Sequence, residues 1–145
     1  EEADRIVLQG AVSVRGKLFF DMSAIPPASI VNHAVLYLTT DPTLSTGYYH
    51  GADSVLVYES VDSTSNILNS SGLISRTDNA KPGVFITDGA ALTRAVQNWV
   101  NRKGNYGLIL LAMYENTDLD RMVLYGANAA ADKRPRLVVT YTSQP

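Results

Sequence analysis

The chain has 145 residues, 46% hydrophobic and 18% charged, which is the balance of one globular domain with a sizeable core and far from that of a disordered chain. Its 12 basic and 14 acidic residues leave a net charge of −2. No run of Lys and Arg dominates, so the footprint of a nucleic-acid binder is missing, and no apolar run approaches a membrane span. Cysteine is absent, which excludes disulfides, thiolate metal sites, redox motifs and a cysteine nucleophile. The start at Glu1, without an initiator Met, fits a processed mature protein or a domain cut from a longer one.

In chain order, Arg5 to Gln9 is short and apolar and predicts a strand. Val12, Val14, Gly16, Leu18 and Phe20 alternate with Ser13, Arg15, Lys17 and Phe19, the period of two of a strand with one buried face. Ile25-Pro26-Pro27 stops it, because proline cannot donate to a ladder. Ala34–Thr40 and Ser54–Glu59 predict two more strands, joined by a polar loop that carries Tyr48, Tyr49 and His50. Asp62 to Ser71, rich in Ser, Asn and Thr, predicts a loop holding the one glycosylation sequon, at Asn69.

The period then changes. Thr87-Asp88 offers a helix N-cap, and Leu92, Val96, Trp99 and Val100 follow at helical spacing, with Gly104 as a left-handed terminator. One helix is expected over about residues 89–102. Strands return at Tyr106–Met113, Met122–Tyr125 and Pro135–Tyr141. Many short strands with turn signals between them predict an all-β fold: a jelly-roll-like antiparallel β-sandwich, one domain over residues 1–145, with one short helix closing an end or edge of the core. Tyr37, Tyr58, Tyr125 and Tyr141 fall on strands and are expected mostly in the core, as is Trp99 on the helix's apolar stripe.

Three segments in order resemble the DNRLRE domain family, bacterial and archaeal surface and secreted modules with relatives classed as carbohydrate-binding. GKLFFDMSAIPPASI (Gly16 to Ile30) is similar to the family's strand followed by Phe-Asp-Leu-Ser and Ile-Pro. VFITDGAALTRAVQNWVNRKGNYGLILL (Val84 to Leu111) resembles its Asp-capped helix with a Trp, then Asn-Tyr-Gly-Leu and a strand. RMVLYGANAAADKRPRLVVTYT (Arg121 to Thr142) resembles its closing Arg-Pro-Arg-Leu-Val-Val-Thr-Tyr strand. The resemblance implies an extracellular or cell-surface location. There are two departures. Phe19 stands where the family commonly carries a polar or basic residue. The family usually opens with an extra strand, where only four residues precede Arg5 here. A sandwich short of that strand exposes an edge for a neighbour's strand to cover, or has a topology one strand shorter.

Catalytic signatures are missing. No Gly-x-Ser-x-Gly elbow, Walker loop, HExxH or dinucleotide fingerprint occurs, and no pair of carboxylates is singled out by its surroundings, so the chain is not expected to be an enzyme. Of the two histidines, His33 sits at an apolar strand start, where a surface or capping role is expected. Glu115, Asn116, Asp118 and Asp120 crowd one loop. They read either as a solvated hairpin turn, with Arg121 neutralising one acid, or as oxygen ligands suited to Ca²⁺; no cofactor is required. Tyr48 and Tyr49 beside His50 are placed to stack on a sugar ring, and Arg134 and Arg136 around Pro135 to grip an acidic one. The same two arginines equally suit an edge strand guarded by charge.

Two functions follow as expectations. The first is a structural subunit of an extracellular filament or sheath, partnered by copies of itself through edge-strand contacts that involve Arg5, Ile6, Val7, Leu8 and Phe19. The second is a module that binds a polysaccharide.

Overall fold

The computed structural model describes residues 4–9, 14–45, 54–64, 68, 72–81 (main chain only from 76), 83–112 and 121–144. Strands β1 (Arg5–Gln9), β2 (Gly16–Leu18), β3 (Ile30–Thr39), β4 (Ser54–Glu59), β5 (Leu73–Lys81) and β6 (Val84–Asp88) precede helix α1 (Ala90–Val100). Strands β7 (Leu108–Ala112), β8 (Arg121–Tyr125) and β9 (Arg136–Thr142) follow it.

Seven strands run in the hydrogen-bonded order β2-β7-β4-β5-β6-β3-β9, each antiparallel to its neighbours. β5 is the corner: Leu73 to Asp78 pairs with β4, and Asn79 to Lys81 turns to pair with β6. One layer is therefore β2-β7-β4-β5. The other is β6-β3-β9, extended by β8 and β1. β9 pairs with β3 from Ile30 to Tyr37. Past the end of β9, β8 takes over the same edge through a Thr40–Leu124 bridge, and Asp41 N–H donates to the Val123 carbonyl at 2.7 Å. β1 pairs with β8 from Arg5–Tyr125 to Gln9–Arg121 without a break.

Between the layers lies one core. Leu8, Leu36, Leu38, Phe85 and Leu124 come from one side, and Leu18, Val55, Val57, Leu108 and Leu110 from the other. This is the expected antiparallel sandwich. Alternation puts every second residue inside, as in Ala34, Leu36 and Leu38 of β3. The helix closes the core from the β3 side with Leu92, Ala95, Val96, Trp99 and Val100 buried, the face read from the spacing.

Several local expectations need correction. The N-cap is Gly89, not Thr87 or Asp88, and it makes no side-chain cap bond. Thr87 and Asp88 instead complete β6, opposite Leu36 and Val35, and the chain turns into the helix at Gly89 with φ 149°, a backbone region that glycine adopts without strain. At the other end Arg102, at φ 59°, takes the first left-handed position ahead of Gly104. Its guanidinium donates to the carbonyls of Met22 and Ile25, which offsets the strain. The long alternating stretch from Val12 to Phe20 gives a strand only over Gly16–Leu18 among its described residues, with Val14 in an isolated bridge to Gln9. The expected core tyrosines are not buried: Tyr37, Tyr58 and Tyr125 are half-buried on outward sheet positions and Tyr141 is exposed.

Candidate interaction surfaces

With Ala34, Leu36 and Leu38 inside, alternation turns Val35, Tyr37 and Thr39 of β3 outward. Their cross-strand partners follow: Arg136 and Val138 from β9, Val84, Ile86 and Asp88 from β6. The result is an outer face whose aromatic rings carry cations. The Arg136 guanidinium lies 4.5 Å from the centre of the Tyr37 ring. Further along, Tyr125 takes Arg5 at 4.6 Å and the Lys133 ammonium at 5.2 Å. Such contacts orient a cation while leaving much of its hydrogen-bonding capacity free.

Arg5 is also tied down, with Nε donating to Asp41 Oδ2 at 2.9 Å. The Asp41 side chain, 3% exposed, accepts from the Thr43 hydroxyl at 2.6 Å and the Thr43 N–H at 3.0 Å. The Thr43 hydroxyl first, then the Thr43 N–H and Arg5, hold the Asp41 carboxyl below the ordinary carboxylate value, against burial, which raises it.

A second feature is the seam between β3 and the helix. β6 covers β3 only from Val35 onward, so on that side the main chain of Val31 and Ala34 meets no strand among the described residues. Thr93 and Gln97, one turn apart on the helix, fill the gap. Ala34 N–H donates to Thr93 Oγ1 at 3.2 Å and Val31 N–H to Gln97 Oε1 at 2.8 Å, while Gln97 Nε2 donates to the Ser29 carbonyl at 3.0 Å. Above the seam is an open groove of about 620 Å³ bordered by Asn32, His33 and Arg94. His33 is at the surface, as expected, with Nε2 3.0 Å from Asp88 Oδ1 in an exposed pair worth little in water.

A third feature is a cluster of strand ends at Gly107. At φ 79°, a Cβ there would collide with the Leu18 carbonyl oxygen and stand 3.2 Å from Phe19 Cα, so only glycine lets the chains touch. Gly107 O accepts from Ser60 N–H, and Asn105 bridges the Phe20 carbonyl and Gly107 N–H. This gives the Asn-Tyr-Gly-Leu segment a physical reason. Phe19, 64% exposed, and Val61 and Tyr106, both exposed, are each next in sequence to one of these joined main-chain groups.

The fourth feature is the far edge of β9. β9 ends the strand order, and among the described residues nothing pairs with its second side. Its seven residues hold one charge, Arg136, and no proline.

The expected site residues fall as follows. Tyr48, Tyr49 and His50, the acidic group Glu115, Asn116, Asp118 and Asp120, and the sequon at Asn69 lie outside the described residues. Arg134 and Arg136 are both exposed at the start of β9, and Arg136 is drawn to Tyr37. Of the five assembly residues, Leu8 is fully buried in the core. Arg5, Ile6 and Val7 are half-buried in a strand already paired with β8, and Phe19 alone is exposed. Thr93, Gln97, Tyr37 and Asp41 were not anticipated as functional or structural anchors. The one available signal was the i, i+4 spacing of Thr93 and Gln97 beside the apolar stripe. Among the described residues no helix is long and apolar enough to cross a membrane. Compared with protein-family models and with curated proteins, the chain matches none.

Proposed function

We propose that this chain is a non-catalytic module of the cell exterior that assembles with copies of itself as the subunit of a filament or sheath, with an exposed sheet edge as one of its contacts. The observation that carries this is the second side of β9, unpaired among the described residues, on a seven-residue strand with one charge and no proline, where natural edges are commonly blunted by charges, proline, bulges or cover. Val138 and Tyr141, 42% and 39% exposed on the two faces of that strand, add apolar surface to the edge. The family resemblance of Gly16–Ile30, Val84–Leu111 and Arg121–Thr142 supports the exterior location. The test is sedimentation velocity of the purified protein over a wide concentration range at neutral pH, with electron microscopy of the concentrated sample. Species larger than one chain that grow with concentration are expected, and a monomer throughout overturns the reading.

A second reading, a polysaccharide-binding module, is favoured by the outer face on which Arg136 lies over Tyr37 and Arg5 and Lys133 over Tyr125. Affinity electrophoresis in gels containing an acidic or a neutral polysaccharide separates it from the first. Retardation lost on Tyr37→Ala with Arg136→Ala supports binding at this face, and unretarded migration in every gel removes it.

A further inference from the structure

The orientation of the β9 main chain fixes how a second copy would meet it. In an antiparallel pair, residues directly opposite each other either exchange both hydrogen bonds or turn both main-chain groups away from one another. Ala34, opposite Val139, sends its N–H to Thr93 on the helix, and Val31, opposite Tyr141, sends its N–H to Gln97. Both point away from β9. Val139 and Tyr141 therefore turn their own N–H and C=O groups toward the free edge, and by the period of two so does Leu137. Among the described residues, the unpaired groups of this edge belong to Leu137, Val139 and Tyr141.

Resting on the self-assembly reading above, we infer that two copies join by antiparallel pairing of β9 with β9 about a two-fold axis through Val139. This register sets Leu137 against Tyr141 of the second copy and Val139 against its own counterpart, completing about six main-chain hydrogen bonds. It is the one register in which all seven residues overlap. Val138 stands against Thr140, so β-branched side chains meet on the outer face. The rim made by half-buried Leu137 and exposed Tyr141 is covered on the inner face. Charge agrees: Arg136 faces Thr142, which leaves the two arginines at opposite ends of the pair, about 20 Å apart along the strand. A shift that brings them together loses most of the hydrogen bonds as well. Because the contact is isologous it uses up the edge in both copies and closes at two. The dimer is then the building block, and any filament grows through a different surface.

The chain has no cysteine, so engineered thiols report this geometry without interference. Val138 and Thr140 of the second copy form a non-hydrogen-bonded pair with Cα atoms about 4.5 Å apart, close enough for a disulfide. Val138→Cys protein mixed with Thr140→Cys protein and mildly oxidised is expected to give mainly the mixed disulfide dimer. Each variant alone should give several-fold less. Sedimentation of both variants before oxidation controls for folding and association. Variants that associate but cross-link no better mixed than alone overturn the β9 register and leave self-assembly by another surface standing. Variants and parent that remain monomeric bring down both.

Discussion

The two sides of the sheet built on β3 are finished in different ways. Toward the helix, the N–H groups of Val31 and Ala34 meet Gln97 and Thr93, side chains fixed one turn apart on a helix whose apolar face is buried. Beyond β9, on the other side, the main chain of Leu137, Val139 and Tyr141 meets nothing among the described residues. The main-chain demand is the same on both sides, and the difference lies in what the chain brings to it. The helix is anchored by Trp99 and its apolar neighbours, so its polar flank can serve as a permanent substitute for a strand. Among the described residues no such element lies beside the free side of β9, and under the proposed self-assembly its hydrogen bonds go to another chain.

The largest effect should come from loosening the closed side at its anchor. Trp99→Ala empties a site only 1% exposed and is expected to cost ~3–5 kcal/mol in urea unfolding. Trp99→Phe should cost far less, because Trp99 Nε1 has no partner among the described residues and its loss leaves nothing unpaired. Equal losses for the two would mean that the indole N–H matters and the anchor is polar.

Gln97→Ala tests the seam directly. It strips Val31 N–H and the Ser29 carbonyl of their partner, at ~1–3 kcal/mol if both stay dry. Amide exchange at Val31 should accelerate more than at Val35, which has a strand on each side. A loss no greater than that of an ordinary exposed helix position would show that water replaces Gln97 and that the two sides of the sheet do not differ.

Asp41 lies where β8 takes over from β9, and it allows a test by pH. Its folded carboxyl titrates below the ordinary value of 3.8, so its stabilising effect is complete above that value and is lost as pH falls through the folded value. Unfolding free energy should therefore drop on acidification below about pH 4, and Asp41→Asn should flatten that slope while lowering stability at neutral pH. An unchanged slope would remove Asp41 as a clamp on β1 and β8.

The smallest effect on stability is expected at the open side. Val138→Lys, at an exposed position, should change the unfolding free energy by no more than about 0.5 kcal/mol. Light scattering should nonetheless show weaker self-association, since an edge lysine discourages pairing. A large loss of stability there would mean that the edge is already covered within one chain.

How far the sequence was legible varies with the physics of each segment. β1, β4, β8 and β9 declare themselves because apolar and β-branched residues dominate them. The helix declares itself by Leu92, Val96 and Trp99. β5 did not, because LISRTDNAK is mostly polar and owes its strand form to neighbours on both sides, β4 and then β6. β6 was hidden by its own end: Thr87 and Asp88 are good capping residues, yet pairing with Leu36 and Val35 outweighed the local preference and left the turn to Gly89. For the N-terminal strand the sequence left two outcomes open, an edge covered by a neighbour's strand or a topology one strand shorter. β8 pairs with it, which is why Leu8 belongs to the core instead of to an interface.

By itself the sequence determined the class of fold and the faces of its clearest elements, because hydrophobic period is a local property that each segment carries with it. It also determined the absence of thiol chemistry. Which edges are closed and which stay open was decided only in three dimensions. That depends on which strand stops short, where the helix lands and which polar side chains arrive opposite the exposed main chain. Val31 and Gln97 are 66 residues apart, and no pattern within either segment announces the bond between them.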